Sequence, residues 1–295
     1  MSLVEIADGA GETVHLTETD GCRTCTFGRE PSEQGRLMRN ICNLECRPDD
    51  IFILASPKSG THWTWEIISM MINGRAETIP KPKIDNMLEN QPHDSLAAIP
   101  NPRVLNSHLS IDWLPRQMLE KQCRIVFILR NPKDMAVSFY NHVKGIKSYH
   151  YQGQWKDFFP FILKGEMEYG SWFTYVREWE RFIHDNPNYP IHLMFYEQLI
   201  KDYELELRRL ATFLGLDLDS GLLAEIADKC RFHNMQKDKA LPAELQKTLI
   251  KQNFSFFRKG KIGDWKNWFT VAQSEEFDRV YEENMKASSL TFQYN

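Results

Sequence analysis

No stretch of this 295-residue chain approaches the roughly 18 apolar residues that a membrane-spanning helix needs. Its clean apolar stretches are short, such as Ile125 to Leu129. The opening MSLVEIADGAGETVHLTETD lacks the basic start and apolar core of a signal peptide. A cytoplasmic protein without a membrane partner is therefore expected. Positive charge is not in excess: 36 Lys and Arg against 40 Asp and Glu leave a net −4. No global basic field recruits nucleic acid, and any grip on an anion must come from local clusters. Repeats and low-complexity tracts are missing. A disordered chain is excluded as well, because 42% of the residues are hydrophobic and 12% aromatic.

Cysteine is sparse, six in all. Cys22, Cys25, Cys42 and Cys46 fall as C-x2-C, sixteen residues, then C-x3-C, which is close to zinc-ribbon spacing. No Gly-bearing knuckle turn accompanies the second pair. Reduced thiols without a metal are the expectation.

What is present is an alternation of strands and helices. Residues 1–45 mix Gly, Thr, Glu and Arg without sustained periodicity and read as an irregular arm; residues 46–295 read as one domain. Ile51 to Ala55 is a short continuous apolar run between turn residues, the pattern of a buried parallel strand. After the turn Ser56-Pro57-Lys58-Ser59-Gly60, Trp63, Ile67, Met70 and Met71 mark a helix face. Val104-Leu105, Ile125–Leu129 and Ile191–Tyr196 are further strands. Helices are expected over Lys133–His142, around Trp172–Ile183, and over Tyr203–Leu214 and Gly221–Lys229. The fold class is α/β, a central parallel sheet flanked by helices.

A ligand in such a sheet sits at the carboxyl ends of the strands. Lys58, Ser59, Gly60 and Thr61 lie at one such end, followed in chain order by His108, Arg130 with Ser138, and Tyr196. A basic, glycine-bearing loop, Arg258-Lys259-Gly260-Lys261, comes later. These are tools for a phosphate-bearing ligand: helix N-terminal amides, a lysine, a guanidinium fork and small hydroxyls. Walker spacing is absent, because the lysine precedes the glycine in PKSGT, and Arg130 stands where a magnesium-holding acid would be sought. A kinase or ATPase becomes the least favoured reading.

These segments resemble those of the cytosolic sulfotransferases. SPKSGTHW (Ser56–Trp63) resembles the family's 5′-phosphosulfate loop, usually YPKSGTTW. RNPKDMAVSFY (Arg130–Tyr140) resembles its 3′-phosphate segment. FRKGKIGDWKNWFTVAQSE (Phe257–Glu275) resembles its C-terminal RKGxxGDWK segment and the KxxxTVxxxE dimer motif. YGSWF (Tyr169–Phe173) and FYEQL (Phe195–Leu199) are similar to further family segments, so the resemblance runs from about Asp49 to the C-terminus. It implies a P-loop-like phosphosulfate loop and sulfuryl transfer from 3′-phosphoadenosine 5′-phosphosulfate (PAPS), leaving 3′,5′-bisphosphoadenosine (PAP), to a hydroxyl or amine of a small, largely apolar acceptor.

Carried over by position, Lys58, Ser59, Gly60 and Thr61 hold the 5′-phosphosulfate, with His62 where a phosphate-contacting threonine is usual. Arg130, Ser138, Arg258, Lys259 and Gly260 hold the 3′-phosphate, in the segment that Phe257 begins. Trp63 and Phe232 sandwich the adenine, with Tyr196, Met235 and Cys230 beside it. The catalytic set is His108 as general base, Lys58 at the bridging oxygen, and Ser138 restraining Lys58. An unperturbed histidine near pKa 6.5 suits proton transfer at neutral pH. Lys266–Glu275 implies a homodimer contact.

Four positions depart from the family pattern: Ser56 for tyrosine, His62 for threonine, Cys230 for a Ser or Thr, and Asn106 for a lysine two residues before the histidine. The last removes a positive charge near the sulfuryl group. The acceptor pocket is expected from Lys81–Pro102 and the loop Lys144–Trp155, with His142, Tyr149 and His150 as lining and the loop as a mobile gate. Two other functions compete: dehydration through a transient sulfate ester, and a catalytically weak nucleotide-binding paralogue.

Overall fold

A computed structural model describes residues 2–239, 247–251 and 254–295. The chain opens with an antiparallel sheet of β1 (Ser2–Ala7), β2 (Thr13–Thr19) and β3 (Cys22–Thr24), followed by a helix over Pro31–Asn40. The first 45 residues are therefore ordered into strands and a helix, where composition suggested an irregular arm. Their signal is weak because only half of the buried positions of β2 are apolar: Val14 and Leu16 are buried on one face, and Thr17 and Thr19 on the other. Met38 and Ile41 join Val14 and Leu16 in the core that also contains Phe52 and Leu54. The segment is packed into the main body.

The second sheet is parallel and runs β5-β4-β6-β7, with β4 Ile51–Leu54, β5 Val104–Ser107, β6 Arg124–Leu129 and β7 Ile191–Phe195. The unbroken apolar run of β4 has a direct cause. Successive strand side chains point to opposite faces, and both faces are covered: Phe52 and Leu54 enter one core, Ile51 and Ile53 the other. The helix Thr61–Asn73 and the helices Tyr203–Leu214 and Ser220–Lys229 supply the second core. The helices Pro132–Gly145, Trp155–Lys164 and Trp172–Asp185 supply the first. Short helices Tyr196–Lys201 and Phe232–Asp238 and a final helix Val271–Met285 complete the frame.

Capping sets where these helices begin. Asn131 accepts from the amides of Lys133 and Asp134, and Pro132 takes the first turn, where its missing N–H costs nothing. Gly74, left-handed at φ 60°, ends the Thr61–Asn73 helix. Beyond the edge of β5, Met87 bridges to Asn106 and the Leu88 amide donates to the Asn106 carbonyl. That strip, Lys83–Glu89, brings two charged side chains to the sheet edge.

Candidate active site

The loops at the carboxyl ends of β4, β5 and β6 meet, through His108 on the Ala55 carbonyl and Arg130 on the Lys58 carbonyl. Lys58 sits in the loop after β4 with φ 69°, a left-handed conformation unusual for a residue with a side chain. The loop is held from below: the Lys58 carbonyl accepts a hydrogen bond from Arg130 Nη1 at 2.7 Å, and the hydroxyls of Ser56 and Ser59 lie 3.3 Å apart. Gly60, at φ 111°, is required here because a Cβ would approach the Tyr196 ring to 2.9 Å. The loop thus delivers its residues onto the first amides of the Thr61–Asn73 helix, which have no helical partner and suit an anion.

Arg130 is buried, its guanidinium 4.2 Å from the Tyr196 ring centroid and its Nε without a partner. The basic loop further on reaches the same region, since Arg258 acts electrostatically on both Lys58 and Tyr196. Arg258 and Lys259 both pair with Asp264, the latter at 2.6 Å. Asp134 fastens that loop by accepting from the amides of Gly263 and Trp265. Gly260, at φ 62°, packs on Phe232, where a Cβ would come within 2.2 Å of the ring. Ser138 lies four residues before His142, on the same helix face.

The residues expected beside an adenine also converge. The Trp63 ring stacks on Tyr203 at 5.3 Å, meets Tyr196 edge-on at 5.7 Å, and donates from Nε1 to the Tyr203 hydroxyl. Phe232 and Phe257 are 6.3 Å apart, and Met235 is buried beside them. Cys230 points into the core against Met70, 3.7 Å away, and burial raises its thiol to about 12. His62 lies at the rim, its ring 6.0 Å from Phe256.

His108 follows β5 directly. Its Nδ1 lies 2.7 Å from the Ala55 carbonyl, and its amide donates to Glu89 Oε1 at 2.8 Å. A carbonyl only accepts, so Nδ1 carries the proton and Nε2 keeps a free lone pair. Burial, then the field of Lys83, moves the imidazole down to about 3. The expectation of an ordinary value near 6.5 is therefore corrected: the ring is neutral across the neutral range. Lys58 Nζ lies 3.4 Å from His142 Nδ1, and burial with Arg130 nearby lowers the ammonium to about 7.

On the acceptor side, Tyr169 meets His108 edge-on at 5.4 Å, and Tyr149 meets His142 at 5.7 Å. Tyr149 donates to Glu168 at 2.7 Å, and burial raises that carboxyl to about 7. His150 is not lining: it turns away at φ 58° and stacks on His15 at 4.5 Å. The loop expected as a gate is fastened, with Tyr151 donating to Asp8 at 2.8 Å and Lys144 to the Gly153 carbonyl at 3.0 Å. Sequence reasoning missed Lys83, Glu89, Glu168, Phe254 and Phe256, because single charged or aromatic residues outside a motif carry no pattern. The four spaced cysteines do not gather. Among the described residues the one three-ligand grouping is Cys46, Asp50 and Cys123, and Arg103 already occupies both Asp50 oxygens.

Residues 48–289 match the model of the sulfotransferase domain. The chain belongs to the sulfotransferase family. This sulfotransferase is 33% identical to Sulfotransferase 1C2 of Oryctolagus cuniculus, over 97% of its own length and 98% of the relative's. Sulfotransferase 1A1 of Mus musculus is 33% identical over 86% and 91%. The structure of mouse sulfotransferase SULT7A1 complexed with PAP superposes with TM-score 0.75 at 32% identity, covering 93% and 96%. Retinol dehydratase in complex with androsterone and PAP shares the fold, with TM-score 0.77 at 22% identity.

Proposed function

We propose that this sulfotransferase moves a sulfuryl group from PAPS to a hydroxyl or amine of a small acceptor, with His108 as general base and Lys58 at the departing oxygen. The observation that carries the reading is the hydrogen bond from His108 Nδ1 to Ala55, which leaves Nε2 as a proton acceptor beside the phosphate loop. The acceptor oxygen or nitrogen attacks sulfur, its proton passes to Nε2, and the bond from sulfur to the nucleotide's bridging oxygen breaks. Negative charge builds on that oxygen, so a lysine held there stabilises the transition state more than the ground state.

The PAP complex of the mouse relative supports the nucleotide assignment. Lys58, Ser59, Gly60, Thr61 and His62 would take the phosphosulfate; Arg130, Ser138, Arg258, Lys259 and Gly260 the 3′-phosphate; and Trp63, Phe232, Tyr196, Met235, Cys230 and Phe257 the adenine. The anionic donor offsets the fields of Lys58 and Lys83 and so raises His108 toward a more effective base. Tyr169, Tyr149, Phe254 and Phe256 favour an aromatic or otherwise apolar acceptor. No metal takes part in this scheme. A homodimer through Lys266–Glu275 fits the exposure of Val271, 76% of whose surface is open. A cytoplasmic location is part of the proposal; no helix among the described residues is long and apolar enough to cross a membrane.

The test is turnover of radiolabelled PAPS against phenols, steroids, alkanols and amines, with chelator present. A labelled sulfate ester is expected. An alkene lacking the hydroxyl would establish the dehydratase chemistry instead, and tight PAP binding without any product would establish the binding paralogue.

A further inference from the structure

Lys83 is 4% exposed, yet among the described residues its ammonium forms no salt bridge. Its polar contact is with Asn106, and it is reciprocal: Lys83 Nζ donates to Asn106 Oδ1 at 2.7 Å, and Asn106 Nδ2 donates to the Lys83 carbonyl at 3.1 Å. Asn106 itself is fully buried on β5. An ammonium has three donors, so this arrangement aims the group while committing one of them.

A buried cation without a counter-charge is costly, and the cost falls when an anion arrives. Glu89 attracts Lys83 electrostatically, but its Oε1 is held by the His108 amide and burial resists its ionisation. Lys83 in turn acts on Lys58, His62, His108 and His142. Its field therefore reaches both the proposed base and the loop lysine. Asn106 lies toward the end of β5, two residues before His108, and Glu89, in the same edge strip as Lys83, holds the His108 amide. The segment Asn106-Ser107-His108 carries no cation of its own.

We propose that Lys83, aimed by Asn106, supplies a second cation to the sulfuryl group undergoing transfer, so that the Lys83–Asn86 turn provides the charge that position 106 does not. This rests on the sulfuryl-transfer reading. Together, Lys58 and Lys83 neutralise the departing and the transferred oxygens from different parts of the chain.

The experiment measures binding of PAP by calorimetry, with and without orthovanadate as a mimic of the sulfuryl in flight, and kcat with an acceptor that turns over. Lys83→Met should weaken PAP alone by no more than a few-fold, while reducing the vanadate-dependent tightening, and kcat, by about tenfold or more. Asn106→Lys placed in the Lys83→Met background should restore most of both. Wild-type vanadate tightening in Lys83→Met overturns the assignment. So does a loss that tracks equal losses of PAP affinity and thermal stability, because that describes a packing role. Failure of the unmodified protein to bind PAP instead defeats the underlying sulfotransferase scheme at its first step and takes this inference with it.

Discussion

Lys58 Nζ and His142 Nδ1 lie 3.4 Å apart, joining the loop after β4 to the helix Pro132–Gly145. Burial and the neighbouring Lys58 hold His142 well below its ordinary value, so its ring is neutral and accepts from the ammonium. Lys58→Met should lower kcat by roughly 10²- to 10³-fold, the scale of losing one charged donor at a developing oxyanion. PAP affinity should fall much less. Single-turnover rates and calorimetry on the same preparation separate the two; equal losses in both would make Lys58 a binding group only.

Lys58 is moved down to about 7 and Lys83 to about 8 in the free protein. Their charged forms favour an anionic nucleotide, so the bound values must be higher than the free ones. Between free and bound values, binding takes up protons, and affinity weakens as pH rises through about 7 to 8. Calorimetry at pH 8 in buffers of different ionisation enthalpy should report net proton uptake. Net release, or affinity flat from pH 7 to 9, would contradict this.

His108 should behave as a neutral base. Its C2 proton should show no titration above about pH 5 in the free protein, given a value near 3. PAP should move that transition upward, because the added negative charge favours the imidazolium. His108→Ala should cost roughly 10²- to 10⁴-fold in kcat and leave PAP binding intact. Near-normal turnover of an alkanol by that variant would remove His108 from the mechanism.

Arg130 carries the next prediction. Its guanidinium is buried between the Lys58 carbonyl and the Tyr196 ring, with Nε unpaired. A charged hydrogen bond is worth about 1.5–3 kcal/mol. Arg130→Ala should therefore weaken PAP by roughly 10- to 150-fold. Adenosine 5′-phosphate should lose far less, so the ratio of the two affinities is the quantity to measure. A uniform loss for both nucleotides would mean that Arg130 serves only to hold the loop.

The parallel sheet was legible from its two central strands, β4 and β6, which are buried on both faces and so read as unbroken apolar runs. The loop lysine, the histidine after β5 and the arginine after β6 were legible because strand ends in such a sheet define one locus. The N-terminal sheet was hidden by buried threonines, Thr17 and Thr19 among them, which break the apolar signal of β2. His150 was misread because a left-handed turn at that residue rotates it out to His15. Lys83 was invisible for another reason. Its role depends on Asn106, 23 residues away along the chain, and only the pairing of Met87 with Asn106 brings the two together.

The opposite end of the sheet bears stability and no chemistry, and it can be probed separately. Asp50 and Arg103 stand just before β4 and β5, both almost completely buried, and pair through Nε at 2.7 Å and Nη2 at 2.5 Å. Arg103 also donates to the carbonyls of Glu45 and Leu96, and Asp50 accepts from the Arg47 amide. Removing one partner leaves the other charge buried alone, which costs about 3–5 kcal/mol. Asp50→Leu should lower the unfolding free energy from urea melts by that amount, whereas Asp50→Leu with Arg103→Met should recover much of it, because no lone charge remains. Both proteins, assayed well below their midpoints, should keep wild-type kcat and PAP affinity, because the pair sits at the amino ends of strands whose carboxyl ends carry the site. A kcat that fell in step with stability would show that the two ends of this sheet are coupled.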